Sequence, residues 1–344
     1  MRNNRLASLI RFMDRNRALL LFLLLFTFLS IFAPNFLTAY NVTTILKSAS
    51  LNGIVAIGFT LIFILGQLDL SIGAAVMLCG MLAIGLQPHL GWAGSIPAAV
   101  AAGCVIGLAN GLLVAKARIS SFIVTLGMMI ILEGLMHLYS GGGSVSVETF
   151  VLADWLEQPV VPFLPPQVII TLALVAGACL FLQRTPAGRG FLMVGGNPET
   201  AWRAGLNRDR YIILGFVICS GMAAIGGTMF AITLSSMTGN AVLGTRTLMT
   251  VLAAVIIGGT PLTGGKGSVV KSFFAVLMLT TLFNGIGCFG LGFEVQMFLN
   301  GLILAAVVLY EAYVIHRHNL MKGQRPHLLQ ELRQKGSTES GRRT

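Results

Sequence analysis

Long apolar segments recur along almost the whole chain, and they limit the folds that are open to it. About 20 apolar residues in a row span the hydrocarbon core of a membrane as one helix. Ten such runs are found, at residues 18–35, 51–66, 70–87, 95–115, 121–138, 167–183, 211–233, 248–259, 272–288 and 295–315. The second and eighth are short and interrupted by Gly-rich or polar residues, which is tolerated only where protein or a water-filled cavity covers the backbone. The sequence therefore predicts an all-α polytopic membrane protein with about ten transmembrane helices.

The positions of lysine and arginine orient these helices, because cytoplasmic loops accumulate basic residues. If the N-terminus lies inside the cell, all of the 23 Lys and Arg residues except Lys47 and Arg246 fall on the cytoplasmic side. Both termini are therefore predicted to be cytoplasmic. The chain divides into a cytoplasmic N-terminal segment (1–17), a transmembrane domain (18–315) with a cytoplasmic loop (184–210), and a basic cytoplasmic tail (316–344) whose end is expected to be disordered.

Composition argues against two other classes of protein. The net charge of +11 comes from basic residues in short loops and at the termini, not from a basic stripe with interleaved aromatic residues, so no nucleic-acid partner is expected. The cysteines all fall inside apolar runs without the CxxC spacing, so neither a metal site nor a disulfide framework is expected. They are Cys79, Cys104, Cys179, Cys219 and Cys288.

A polar segment between two apolar runs, "TPAGRGFLMVGGNPETAWRAGLN" (185–207), contains the signals of a short helix. Asn197 is suited to cap the helix, Pro198 to occupy its first position, and Gly205 to end it in a left-handed conformation. Trp202 and Leu206 would give this helix an apolar edge that its own length cannot bury. The edge therefore contacts either a partner protein or the lipid headgroups.

Six motifs extend the interpretation by resemblance. They are "GQLDLSIG" (66–73), "NGLLVAKARI" (110–119), "SFIVTLGMM" (121–129), "GRGFLMVGGNPETAWRAGLN" (188–207), "GGTPLTGGKGS" (258–268) and "LFNGIGCFG" (282–290). In this order they resemble permease subunits of bacterial ABC importers for ribose, xylose, galactose and related compounds, over about residues 30 to 315. The segment at 258–268 is not a Walker A motif, because Gly267 follows Lys266 and Thr260 takes the place of the first glycine.

The resemblance implies an inner-membrane permease that performs no chemistry itself. ATP and Mg would be bound by a separate ABC ATPase subunit, and this chain would hold no cofactor. The further partners implied are a periplasmic solute-binding protein, membrane lipid, and a second permease copy in a homodimer or heterodimer. The polar segment would be the ATPase-coupling helix, with Asn197, Pro198, Glu199, Thr200, Ala201, Trp202, Arg203 and Gly205 as its residues.

Polar residues in or near the apolar runs are candidates for the translocation path: Asp69, Ser71, Asn110, Glu133 and Asn284. A carboxylate at the membrane centre costs about 2.5–3.5 kcal/mol, so Asp69 must be capped, paired or hydrated. Asp69 or Ser71 could cap the third predicted helix, or the broken segment could border a central cavity. Amides in such positions most often join helices rather than bind ligand. A path for hydroxyl-rich solutes is expected to be lined by neutral donors and acceptors, not by fixed charges.

The chain departs from the family that it resembles in the placement of its charges. The family pattern has Arg at the place of Glu133 and acidic residues at the places of Leu248 and Thr250. Glu133 and Arg246 are predicted to lie at compatible depths, so they are a candidate ion pair of reversed polarity. The alternatives are that Glu133 meets His137, four residues further along the helix, or faces water.

A stand-alone secondary transporter driven by protons or sodium is the alternative function. Such a protein requires titratable or ion-binding groups near the middle of the membrane. Only Asp69, Glu133 and His137 are candidates for that role. An enzyme is less consistent with the sequence, because no His, Asp and Glu cluster has catalytic spacing.

Overall fold

The computed structural model describes residues 17–160, 164–239 and 241–313, and these ranges are largely helical. The predicted tail (316–344), and all of the predicted N-terminal segment except Arg17, lie outside the described residues. The first helices are α1 (Arg17–Phe32), α2 (Ala39–Ile64), α3 (Ile72–Gly85), α4 (Gln87–Ala115), α5 (Ser121–Ser140) and α6 (Val151–Glu157). The others are α7 (Pro166–Arg184), α8 (Pro186–Gly196), α9 (Pro198–Arg203), α10 (Arg208–Leu234), α11 (Ala241–Ile257), α12 (Val269–Cys288) and α13 (Phe293–Tyr313).

The helices fall at the predicted apolar runs. In the described part of the chain, seven helices are long and apolar enough to cross a membrane: α2, α4, α5, α7, α10, α12 and α13. Shorter apolar helices, α1, α3 and α11, occupy the other predicted runs. The prediction of a helical, multi-pass membrane fold is therefore confirmed at this level.

Helix α2 corrects the prediction that the second span is short. It has 26 residues and begins at Ala39, after Thr38, whose hydroxyl accepts the Asn41 N–H at 3.3 Å. The first third of α2 is polar, so an apolar scan misses it. Hydroxyls there donate to the carbonyl four residues earlier, as Thr43 does to Ala39 O at 2.8 Å. Ser50 does the same to Leu46 O at 2.7 Å, which lets a hydroxyl remain in an apolar helix.

Helix α10 lies at the centre of the fold, against α2, α3 and α4. Glycines allow these backbones to approach closely, as small residues do in membrane helix packing. A Cβ at Gly107 of α4 would overlap the carbonyl oxygen of Phe216, and one at Gly227 of α10 would overlap that of Val76. Cys219, also on α10, is completely buried, which agrees with its predicted role as a small packing residue.

A small sheet, which the sequence analysis did not predict, joins two interhelical loops. Strand β1 (Ser144–Ser146) pairs with β2 (Ser236–Thr238) in antiparallel register, with Val145 opposite Met237. Because β1 follows α5 and β2 follows α10, the ribbon connects the ends of these helices.

Helices α1, α5 and α13 leave large apolar side chains exposed. Examples are Leu24, Ile130, Phe298 and Leu309, which are 62% to 70% exposed. An apolar surface of this extent is rare on a soluble monomer, and it suits contact with lipid or with another membrane subunit.

Candidate translocation cavity and coupling helix

The short polar helix predicted at 197–205 is present in the structure as α9 (Pro198–Arg203). The side-chain oxygen of Asn197 accepts the Thr200 N–H at 3.0 Å, and Pro198 occupies the first helical turn. Gly205 follows the helix with a φ of +80°, in the left-handed region that the stop signal predicts.

One face of α9 is anchored and the other is exposed. Ala201 is buried, and Leu206 packs on the hydrophobic core, so Leu206 does not form the predicted apolar edge. Trp202 is 73% exposed, and Glu199 pairs with Arg203 at 2.6 Å on the surface. Exposed tryptophan is a common anchor of protein interfaces. The exposed surface of α9 therefore consists of the aromatic ring of Trp202 with the charged side chains of Glu199 and Arg203 beside it. It borders a surface depression of about 670 Å³.

Backbone contacts connect the end of α8, directly before α9, to the end of α2. The Gly265 N–H donates to Ile64 O at 2.8 Å. A Cβ at Gly195 would overlap that same oxygen, and a Cβ at Gly265 would overlap Gly196. We call this contact of α2, α8 and the 258–268 loop the glycine junction. It leaves no room for side chains between the three backbones.

Three of the predicted path residues, Asp69, Ser71 and Asn110, form one buried network. Asp69 Oδ1 accepts the Ser71 N–H at 2.9 Å and the Ser71 hydroxyl at 2.5 Å, and Asn110 Nδ2 donates to Ser71 Oγ at 3.0 Å. All three side chains are fully buried. Ser71 occupies the N-cap position of α3 without a side-chain cap bond, and Asp69 binds Ser71 at that position instead of the free N–H groups of the first helical turn.

The non-helical segment between α2 and α3, which contains Asp69, is also hydrogen-bonded to α5. Leu68 N–H donates to Ser121 Oγ at 3.3 Å, and Leu70 N–H donates to Thr125 Oγ1 at 3.0 Å. These bonds satisfy backbone groups that the non-helical segment leaves unpaired. The network joins α3, α4 and α5, and its members do not line the main cavity.

A cavity of about 520 Å³ lies between α2, α3, α10, α11, α12 and α13. Its volume is in the range of small-molecule sites, about 300–1,000 Å³. Most of its polar lining is neutral, and Arg246 adds one fixed charge. The polar lining residues are Asn41, Ser48, Asn52, Arg246, Thr247, Thr250, Thr280, Asn284 and Gln296.

Asn284 is the predicted path residue that lines this cavity. Its amide exchanges two hydrogen bonds with the Asn41 amide, at 2.9 and 2.8 Å, and so ties α12 to the start of α2. Thr250, also in the lining, accepts from Asn300 Nδ2 at 3.1 Å. Amides thus fix the walls of the cavity, as neutral groups commonly do between membrane helices.

The Glu133–Arg246 ion pair is not formed in this structure. The ion pairs between described residues use other side chains, and Arg246 donates instead to Gln296 Oε1 at 2.7 Å. Glu133 lies on the border of a separate small pocket beside Met129 and Thr245. Arg246 therefore reaches across to α13 and not toward α5.

Sequence reasoning missed most of the cavity lining, although a periodic signal was present. Thr280 and Asn284 are four residues apart on α12, and Arg246 and Thr250 are four apart on α11. Polar residues at this spacing share one face of a helix. A search for polar stripes within apolar runs, not for single polar residues, would have found them.

Comparisons with known proteins agree with this arrangement. A family model described as "Branched-chain amino acid transport system / permease component" matches residues 41–308. The ribose import permease protein RbsC of Escherichia coli K12 is 32% identical over 301 residues, which are 86% of this chain and 92% of the relative. The L-arabinose transport system permease protein AraH of the same organism is 32% identical over 311 residues, 88% and 92% of the two chains.

A third relative is the autoinducer 2 import system permease protein LsrC of Yersinia pestis (strain Pestoides F). It is 30% identical over 310 residues, which are 88% of this chain and 87% of the relative. No solved structure matches the chain. The chain belongs to this family of transport-system permease components and is a multi-pass membrane permease, not itself an enzyme.

Proposed function

We propose that the chain is the permease subunit of an ATP-binding-cassette importer that carries a sugar or similar small polar solute across the bacterial inner membrane into the cytoplasm. The relatives are import permeases for ribose, L-arabinose and autoinducer 2. The hydroxyl- and amide-lined cavity supports a solute of this kind, because such groups can bond to sugar hydroxyls.

The observation that carries the proposal is that the cavity and α9 lie at opposite ends of the same helices. Helix α10 begins at Arg208, just after α9, and reaches the cavity at Phe230, about 33 Å along its axis. Helix α2 lines the cavity from Asn41 to Val55 and ends at the glycine junction. A movement at α9 is thereby connected to the cavity walls through rigid elements.

In this proposal α9 docks on a separate ATPase subunit, which binds ATP and Mg, while this chain holds no cofactor. The proposal also includes the predicted threading, with ten spans and both termini cytoplasmic, so that α9 faces the cytoplasm and the cavity faces the periplasm. A periplasmic solute-binding protein then delivers the solute, and a second permease copy, identical or related, completes the path.

Crosslinking at α9 tests the docking. We expect Glu199→Cys to crosslink to the ATPase subunit to an extent that changes with bound nucleotide. The matched control is Ser144→Cys on β1, which is also exposed but lies at the opposite end. Absence of any crosslink from Glu199→Cys in an assembled complex contradicts the proposed docking surface.

A further inference from the structure

Arg246 is a cation in the wall of the cavity, where one amide and two aromatic rings contact it. Its guanidinium donates to Gln296 Oε1 at 2.7 Å. The carbon at its centre lies 5.8 Å from the centroid of the Phe283 ring and 5.1 Å from that of Phe293. These distances are typical of cation–π contacts. The aromatic rings and the amide hold the guanidinium in one place without neutralising its charge.

No carboxylate of the described residues pairs with this guanidinium. None of the described residues that line the cavity is acidic. In the described ranges, ion pairs are made by Lys47, Lys116, Arg118 and Arg203. Glu133, the acid that the sequence suggested as a partner, borders a different pocket.

The guanidinium also keeps most of its hydrogen-bonding capacity. Arginine has five N–H donors in a planar fork, and Gln296 accepts from one terminal nitrogen of Arg246. Nearby in the same lining, the Thr280 hydroxyl is buried and has no partner. The cavity thus presents a charged donor, and its wall contains a buried hydroxyl that no described residue satisfies.

A neutral sugar does not require a cation, since hydroxyls and amides can satisfy it. A planar fork of N–H donors matches the two oxygens of a carboxylate, or those of a phosphate, and such charge-assisted bonds are about twice as strong as neutral ones. The neutral part of the lining matches the hydroxyl groups of the same molecule.

We propose that the cavity takes a hydroxyl-rich solute that carries an oxyanion, a sugar acid or a sugar phosphate, and that Arg246 is the residue that selects it. This inference rests on the proposed import function and narrows its substrate class. Gln296 and the two phenylalanines act as positioning residues for the guanidinium.

Binding to the purified full-length chain in detergent tests the inference without any partner subunit. The probes are D-galacturonate, D-galactose 6-phosphate and D-galactose, measured by isothermal titration calorimetry. We expect one or both anions to bind at least about tenfold more tightly than galactose, because only they can form charge-assisted bonds. The carboxylate and phosphate probes distinguish the two kinds of oxyanion.

Variants assign the preference to Arg246. We expect Arg246→Gln to abolish the preference for the anions, and Arg246→Lys, which keeps the charge but not the fork, to retain part of it. The control is Lys271→Gln, which removes a cation near the start of α12, whereas the cavity is lined by the later part of that helix. This variant should leave the preference unchanged. If a variant does not fold, the comparison of the three probes on the wild-type protein still tests whether anions are preferred.

Equal binding of galactose and both anions, no binding of either anion, or a preference that survives in Arg246→Gln would overturn the inference. The Glu199→Cys crosslink reports on the import function independently. A crosslink without anion preference contradicts the substrate class alone. Anion preference without a crosslink contradicts the docking of the ATPase alone.

Discussion

At the residue scale, Ser71 connects two buried polar side chains. Its hydroxyl donates to Asp69 and accepts from Asn110 in a site without exposure to solvent. Ser71→Ala would leave the Asn110 amide without its acceptor. We expect this change to lower the free energy of unfolding by about 1–3 kcal/mol, measured by thermal unfolding in detergent.

Ser220→Ala is the matched control for this prediction. Ser220, in α10, is fully buried like Ser71, but its hydroxyl has no partner among the described residues. Its removal should therefore change the stability much less. Equal losses in the two variants would show that the network around Ser71 contributes nothing beyond the burial of a hydroxyl.

The residue scale also shows where sequence reasoning stopped. The sequence left open whether Asp69 caps a helix or borders a cavity, since both need a polar residue at a break; in the structure Asp69 binds Ser71 at the N-cap position of α3 and lies outside the lining of the main cavity. The proposed pairing of Glu133 with Arg246 failed because span depth does not fix the direction in which a side chain points. Gln296 was not considered, since a single amide near a helix start has no distinctive pattern.

At the element scale, α9 depends on the left-handed residue that ends it. Gly205 has a φ of +80° and donates its N–H to Trp202 O at 2.9 Å. Proline can adopt neither feature. We expect Gly205→Pro to abolish transport, while membrane insertion, followed by immunoblotting of membranes, persists.

Gly205→Asn is the control for that change. No atom lies within 4 Å of a Cβ built at Gly205, and asparagine tolerates the left-handed region better than most residues. Transport in Gly205→Asn should remain substantial. Unchanged transport in Gly205→Pro would contradict the assignment of α9 as the coupling helix.

The glycine junction is the second element-scale feature that can be tested. Gly195→Ala would force the end of α8 away from Ile64 O, and overpacking of this kind costs about 1–3 kcal/mol. Because the junction connects α9 to α2, we expect transport to fall more than the amount of inserted protein. Uptake normalised to membrane protein measures this.

Gly177→Ala on α7 is the matched control, because no atom lies within 4 Å of a Cβ at this position. Alanine there should be neutral or slightly stabilising, by up to about 1 kcal/mol. If both alanine variants transport normally, the close backbone contact at the junction has no mechanical role.

Elements were predicted well where apolar runs or local capping residues mark them, and poorly where neither signal is present. The caps and the stop of α9 were readable, because Asn197, Pro198 and Gly205 act through local backbone chemistry. The polar start of α2 and the small sheet were missed. Their bonds are made by hydroxyls to the helix backbone or between distant loops, and neither leaves an apolar pattern.

At the scale of the whole molecule, the distribution of basic residues predicts that α9 and the β1–β2 ribbon lie on opposite sides of the membrane. Ser144 and Thr200 are both exposed, so cysteines at either position are accessible to reagents. We expect an impermeant thiol reagent to label Ser144→Cys in intact spheroplasts and Thr200→Cys only after permeabilisation. Labelling of both from one side would contradict the proposed threading.

The most direct test of the account is uptake into proteoliposomes that contain this chain. We predict that uptake of a probe from the panel D-ribose, L-arabinose and D-galacturonate requires ATP, the ATPase subunit and the solute-binding protein together, and stops when any one is omitted. Gly205→Pro should stop it as well. Accumulation of a probe by the purified chain alone, driven by an imposed proton or sodium gradient, would contradict the account and identify an ion-coupled secondary transporter.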